Sequence, residues 1–80
     1  MTLAGLPAAL PHLSPAMRRI AREVLADPDA VADGLARELA RRAGTSAATV
    51  SRFTRLLGHP TFTAFQCAVH RERTDAPPLA

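Results

Sequence analysis

Hydrophobic and polar positions along this chain alternate with the period of an α-helix, not with the period of two that is typical of a strand. Segment 15–26 shows the pattern most clearly, because its apolar residues recur every three or four positions and its charged residues take the opposite face. These apolar residues are Met17, Ile20, Ala21, Val24 and Leu25. Ser14 is a favourable N-cap, and Pro15 lies at the first helical position, where its missing N–H costs nothing. The pattern predicts an amphipathic helix over 15–26.

The same signals predict several shorter helices along the rest of the chain. They start after a Ser, Thr or Asp that can cap a helix, or end at a glycine or proline that cannot continue one. The predicted ranges are 28–32, 35–43, 47–57 and 62–73, and a further helix over 2–10 is interrupted by Gly5 and Pro7. The predicted fold class is therefore all-α, a compact bundle of five or six short helices.

Length and composition limit this bundle to one small domain. A chain of 80 residues rarely holds two cores, and a single small core seldom supplies more than about 3–5 kcal/mol of net stability. We assign the domain to residues 1–73 and interpret 74–80, with its two adjacent prolines, as a linker or disordered tail. Because the chain has 3 Phe and no Trp or Tyr, few large side chains remain to line a deep pocket, which argues against an enzyme.

Nothing in the sequence directs the chain to a membrane or to an oxidising compartment. The apolar segment 1–13 has no basic region at its start and is interrupted by Pro7 and Pro11, so it is a poor signal peptide. No run approaches the ~20 apolar residues that a membrane-spanning helix needs. The single cysteine excludes an intrachain disulfide and fits a reducing environment. We therefore expect a cytoplasmic protein.

Segment 36–55 has the pattern of a helix–turn–helix, in which two short helices are joined by a tight turn at 43–45. Ala40 is small enough for close helix approach, and Gly44 accepts the positive φ that the turn requires. Four apolar positions are expected to hold the two helices at a fixed angle: Leu39, Ala43, Val50 and Phe53. We predict that this unit lies within a homeodomain-like trihelical core.

The second helix of this unit leaves a small, basic face exposed. Its exposed positions are Ser46, Ala47, Ala48, Ser51, Arg52 and Arg55. Small residues let a helix end approach base edges, free N–H groups at that end suit a phosphate, and Arg can bind a guanine bidentately. We therefore predict sequence-specific binding of double-stranded DNA for transcription regulation, with helix 46–57 in the major groove.

Two roles are expected within this interface. Ser51, Arg52 and the residues at the N-terminal end of the helix face base edges. Four residues hold the DNA backbone: Arg41, Arg42, Thr45 and Arg55.

The formal charge of +3 is unevenly distributed, and its distribution favours this function. The charge is +3 over residues 1–22, −4 over 23–35, +4 over 36–56 and zero over 57–80. A clustered basic surface is expected of a protein that binds nucleic acid. The three arginines of the first block are expected on a solvated face, with a flanking phosphate contact as the alternative; they are Arg18, Arg19 and Arg22.

Several of the candidate residues also have a purely structural explanation. Arg52 and Arg55 could be solvated charges, Arg41 and Arg42 favour the negative end of a helix dipole, and Ser46 is a helix cap. The alternative function is a protein–protein interaction module built on the same trihelical frame. An Ala/Ser/Arg face, in place of a Leu/Met/aromatic one, favours DNA.

The last predicted helix carries only a weak candidate for metal chemistry. Cys67 and His70 lie three residues apart, but neither His12 nor His59 has a comparable spacing to complete a metal site. We expect no metal, no cofactor and no catalytic residues, and we expect Cys67 to be a small buried side chain. The three phenylalanines are expected in the core: Phe53, Phe62 and Phe65.

Over residues 10–72 the chain resembles the N-terminal helix–turn–helix domain of the RpiR family of bacterial transcription regulators. The most specific part of the resemblance is the string S-x-x-T-V-x-R-F-x-x-x-L-G at 46–58. The resemblance implies a DNA-binding domain of a repressor or activator, acting as a dimer or higher oligomer. It also implies a link to sugar or sugar-phosphate metabolism through a sugar isomerase (SIS) domain that senses phosphosugars. That domain is absent from these 80 residues, so a phosphosugar effector is expected only for a longer protein.

The chain departs from the family pattern in two places, at position 35 and over 59–61. Leu35 stands where the family has a Ser or Thr that caps the first helix of the motif, so we expect Asp33 or Gly34 to cap it. The segment 59–61 stands where an aromatic residue, a Lys or Pro, and a Gly are the rule.

Overall fold

The computed structural model describes residues 3–74, which form helices and no strand. Six of these helices are α-helical: α1 Leu6–Ala9, α2 Pro15–Ala26, α3 Pro28–Asp33, α4 Ala36–Ala43, α5 Ala47–Leu56 and α6 Phe62–Thr74. The 3₁₀ helices Leu3–Gly5 and Leu10–His12 flank α1. The predicted all-α class is confirmed. Among the described residues, no helix is long and apolar enough to span a membrane.

The predicted helix bounds agree with the structure to within about one residue from position 15 onward. The N-terminal segment differs, because the single helix expected over 2–10 is split into two 3₁₀ helices around the four residues of α1. Pro11 has no N–H and cannot extend the α-helical hydrogen bonding of α1. At the other end, α6 includes Thr74, and the rest of the expected tail, 75–80, lies outside the described residues.

The hydrophobic core lies where α2, α4 and α5 meet, and α6 packs on α3 and α5. Its largest fully buried side chains are Phe53, Phe65, Leu6, Ile20, Leu39, Val24, Val31, Val50 and Val69. Phe53 and Phe65 meet edge to face, with ring centroids 5.9 Å apart and an interplanar angle of 81°, a favoured aromatic geometry. This pair joins α5 to α6.

Side-chain caps begin α2, α3 and α6 at the residues that the sequence indicates. Ser14 Oγ accepts a hydrogen bond from Met17 N at 3.3 Å, and Asp27 Oδ1 accepts one from Ala30 N at 3.2 Å. Thr61 Oγ1 accepts from the amide of the third residue of α6, at 3.0 Å. Each cap satisfies one of the amides that have no partner in the first helical turn.

The start of α4 corrects the prediction that Asp33 or Gly34 caps it. Leu35 occupies the N-cap position with an extended backbone, and its side chain has no hydrogen-bonding atom. Glu38 Oε1 accepts from Leu35 N at 2.9 Å, which is the half of a capping box that does not need a polar N-cap residue. Glu38 therefore satisfies the amide of Leu35, whereas Leu35 gives no side-chain acceptor to the amides of the first turn of α4.

Gln66 of α6 fixes the connection between α3 and α4. Its Nε2 donates to the carbonyl oxygens of Val31, at 3.0 Å, and Gly34, at 2.6 Å. Gly34 leaves no space for a side chain, because a Cβ at this position would lie 2.5 Å from the Ala30 carbonyl oxygen. The last helix thus determines where the first helix of the helix–turn–helix begins.

The position of Cys67 corrects a second expectation, because this side chain is exposed. Phe65 and Val69 are the inward positions of α6, and a residue two places from each of them points away from the core. Of the three phenylalanines expected in the core, two are buried and Phe62 is half-buried against it.

We predict that Gly34→Ala lowers the free energy of unfolding by about 1–3 kcal/mol, because the new methyl group overlaps the Ala30 carbonyl oxygen. Urea denaturation followed by far-UV circular dichroism measures the change. An unchanged denaturation midpoint would show that the connection between α3 and α4 relaxes without cost.

Candidate nucleic-acid interface

The turn between α4 and α5 depends on one residue in the left-handed conformation. Gly44 has φ 70° and ψ 38°, as the sequence predicts. Gly44 N donates to Arg41 O at 3.1 Å, and Thr45 N donates to Ala40 O at 2.8 Å. These two bonds form a Schellman motif, which satisfies carbonyl groups that the end of α4 would otherwise leave unpaired.

The four residues expected to hold α4 against α5 are all buried. They are Leu39, Ala43, Val50 and Phe53, and Ala40 is buried with them. The small side chains at 40 and 43 leave space for the larger ones of α5, so the two helices pack closely. The core therefore fixes the direction in which α5 leaves the turn.

Arg19 of α2 holds the same turn from outside the helix–turn–helix. Its Nε donates to Ala43 O at 2.9 Å, at the end of α4 where the helix dipole favours a cation. Arg18 is half-buried and donates from Nη2 to Leu13 O at 3.1 Å. The expectation that both arginines lie only on a solvated face is therefore incomplete. No spacing in the sequence indicates this hydrogen bond, since Arg19 and Ala43 lie 24 positions apart.

A chain of hydrogen bonds runs along the N-terminal half of α5. Ser46 Oγ accepts from Thr49 N at 3.2 Å, and the Ser46 and Thr49 hydroxyl oxygens lie 3.0 Å apart. Arg52 Nη2 donates to Thr49 Oγ1 at 3.2 Å. Ser46 and Arg52 are among the residues predicted to contact DNA and Thr49 is not, although the polar residues at every third position, 46, 49 and 52, are a detectable signal.

The predicted contact face of α5 is accessible. The exposed members are Ser46, Ala47, Ala48, Arg52 and Arg55, and the half-buried ones are Thr45 and Ser51. Leu56, which is not among the predicted contact residues, is also on the surface, with 61% of its area exposed. Apart from this leucine, the accessible side of α5 carries small or basic side chains.

Arg41 and Arg42 of α4 are exposed in a different electrostatic environment. They line a surface depression of about 410 Å³ together with two acidic residues, Asp33 and Glu38. The carboxylates partly offset the positive charge of these arginines, whereas no acidic residue lies in α5.

Cys67 and His70 line a second surface groove of about 600 Å³, between α3 and α6. Within residues 3–74, however, no group of three His, Cys, Asp or Glu side chains converges on a point that could hold a metal ion.

The family model for the helix-turn-helix domain of the rpiR family matches residues 2–75 of the chain. The chain belongs to this family. The match confirms the resemblance indicated by the sequence and identifies an rpiR-family domain as a DNA-binding helix–turn–helix of transcription regulation, with DNA as its partner. Its family is one of regulatory domains, not of enzymes. Comparison of the chain with curated proteins and with solved structures gives no match.

We predict that Ser46→Ala lowers the free energy of unfolding by about 1 kcal/mol, because Thr49 N loses its acceptor at the N-terminus of α5. Ser46→Asn is the matched control, since its side-chain oxygen restores the cap and should retain most of the stability. Thermal and urea unfolding of the two variants measure the difference. Equal stability of both variants would contradict the importance of this cap.

Proposed function

We propose that this rpiR-family domain binds a specific sequence of double-stranded DNA by inserting α5 into the major groove. The observation that carries the proposal is the accessible side of α5, which is small at its N-terminal end and basic further along. The major groove, about 12 Å wide, admits an α-helix, and small side chains let the helix end lie close to the bases.

Arg52 is the principal base-contacting residue in this proposal. Its bond to Thr49 Oγ1 draws the guanidinium toward the N-terminal end of α5, where Ala47 and Ala48 allow close approach. Ser51 lies one residue before it and completes the set that faces base edges. Because a guanidinium has five donor hydrogens, Arg52 retains four for a guanine, which needs two.

The remaining candidate residues hold the DNA backbone. Arg55 adds charge on the α5 face, and Thr45 and Ser46 lie where the turn meets the helix N-terminus, which favours a phosphate. Arg41 and Arg42 contribute at the edge of the interface, and their acidic neighbours make this contribution smaller than that of Arg55.

We propose that the regulator acts as a dimer or higher oligomer on paired half-sites, which a helix–turn–helix dimer contacts about 34 Å apart. A single domain then binds weakly. The link to sugar-phosphate metabolism, and a phosphosugar effector sensed by an SIS domain, rest on the family resemblance alone.

Protein–protein interaction remains the second candidate function, and two exposed leucines favour it. Leu35 has 52% of its surface exposed and Leu56 has 61%. Only Leu56 lies on α5, and its neighbours on the accessible side are small or basic. The composition of that side favours nucleic acid over an apolar partner surface.

We predict that Arg52→Ala weakens binding to the preferred sequence by about 1–3 kcal/mol and relaxes the sequence preference. Duplexes selected by the unmodified chain from a random pool provide the probe, and fluorescence anisotropy gives Kd for selected and scrambled duplexes. Arg22→Ala removes the same charge from the exposed side of α2 and is the matched control. Its ratio of specific to non-specific affinity should not change. If Arg52→Ala behaves like this control, α5 does not dock as proposed.

Salt dependence tests the proposed backbone contacts. The logarithm of the binding constant should fall linearly with the logarithm of salt concentration, with a slope of about −0.9 for each phosphate neutralised. Arg55→Ala should reduce this slope by about one unit, and Arg41→Ala by less, because acidic residues lie beside Arg41. A slope near zero for the unmodified chain would rule out a binding surface based on phosphate contacts.

A further inference from the structure

Thr49 of α5 is not one of the proposed DNA contacts. Its side chain is hydrogen-bonded to two residues that are, Ser46 and Arg52. Only 9% of its surface is exposed, so it cannot itself be a major contact for DNA. Its hydroxyl nevertheless lies 3.0 Å from Ser46 Oγ and 3.2 Å from Arg52 Nη2. These distances are within the range of hydrogen bonds.

We propose that Thr49 is a specificity-determining positioning residue, which holds the Arg52 guanidinium in the orientation needed to bind a base. This inference rests on the proposed function of Arg52. Thr49 acts through Arg52 and does not itself touch the DNA.

The direction of the bond between Arg52 and Thr49 follows from donor chemistry. A guanidinium only donates, so Thr49 Oγ1 accepts from Arg52. A hydroxyl oxygen has two acceptor lone pairs, so Thr49 Oγ1 can in addition either accept from Ser46 Oγ or donate to it across the 3.0 Å between them. In both cases the Thr49 hydroxyl joins Arg52 to the residue that caps α5.

The advantage of this arrangement is a smaller entropic cost of binding. A long arginine side chain on a helix surface loses rotamer freedom when it binds a base, and a side chain that is already held loses less. Arg55 provides an internal comparison, because its exposed side chain has no hydrogen-bond partner among the described residues. Of the two arginines on the face of α5, Arg52 alone is held in place by its own helix.

The test compares Thr49→Val with Thr54→Val. Both substitutions replace a buried threonine of α5 by a residue of nearly the same shape. Thr54 Oγ1 donates to Ser51 O at 2.9 Å and is not hydrogen-bonded to Arg52 or Arg55. Its substitution therefore controls for the loss of a buried hydroxyl. Affinities are measured by fluorescence anisotropy for duplexes selected by the unmodified chain and for scrambled duplexes.

We expect Thr49→Val to weaken binding to selected duplexes by about two- to ten-fold and to leave binding to scrambled duplexes and the salt slope unchanged. Thr54→Val should change neither affinity, and Thr49→Ser, which keeps the hydroxyl, should bind like the unmodified chain. The double variant Thr49→Val/Arg52→Ala should bind no more weakly than Arg52→Ala alone, because Thr49 acts only through this arginine.

Three results would overturn the inference. In the first, Thr49→Val and Thr54→Val have the same affinity for selected duplexes while Arg52→Ala loses specific affinity. Thr49 then has no positioning role, but the proposed docking of α5 is unaffected. If Arg52→Ala itself has no effect, the proposed function fails and this inference fails with it. The third result comes from the unmodified chain, in which nuclear magnetic resonance relaxation measures how ordered each arginine Nε–H group is. In the unmodified, DNA-free chain the Arg52 group should be more ordered than that of Arg55, and equal mobility would contradict the proposal.

Discussion

The left-handed conformation of Gly44 is the constraint on which the rest of the interface depends. Only three residues join α4 to α5, and the φ of 70° at this glycine allows the sharp change of direction, and so the angle, between the two helices. Small buried residues at 40 and 43 then allow the helices to pack at that angle. Arg19 completes the arrangement from α2 by donating to the last carbonyl of α4. Backbone geometry, core and polar contact therefore favour one orientation of α5.

The helix caps and the turn could be predicted from the sequence, because the two residues of each of their hydrogen bonds lie within a few positions of each other. Ser14 and Asp27 accept from amides three residues further on, and Gly44 N donates to the carbonyl oxygen of Arg41, three residues before it. The contacts that could not be predicted join distant parts of the chain, as Gln66 does with the connection between α3 and α4. The sequence shows that Gln66 is polar and lies on a helix, but not which carbonyl groups the packing of α6 brings within its reach.

The sequence shows how charge is distributed along the chain, but it predicts only in part which charged side chains the fold brings together. The acidic block at 23–35 separates two basic blocks along the chain, but the fold places Asp33 beside Arg41 and Arg42. Glu38 belongs to the basic block by sequence, and it lies in the same depression. Among the described helices that carry arginines, α5 alone carries no carboxylate, so the charges of Arg52 and Arg55 are not offset within their own helix.

Hydrogen-bonded turns at both ends of α5 limit how this helix could adapt to DNA in the proposed complex. A second Schellman motif ends it, in which Gly58 N donates to Arg55 O at 3.0 Å and His59 N donates to Thr54 O at 2.9 Å. Because hydrogen-bonded turns end its backbone on both sides and its inner side is buried, α5 would enter the groove as a rigid body in the proposed complex. Discrimination between sequences then depends on its exposed side chains, and a side chain discriminates best when its orientation is already fixed. In the proposed complex, the bond to Thr49 would give Arg52 this fixed orientation, and Arg55 would suit a phosphate, which tolerates many orientations of the cation.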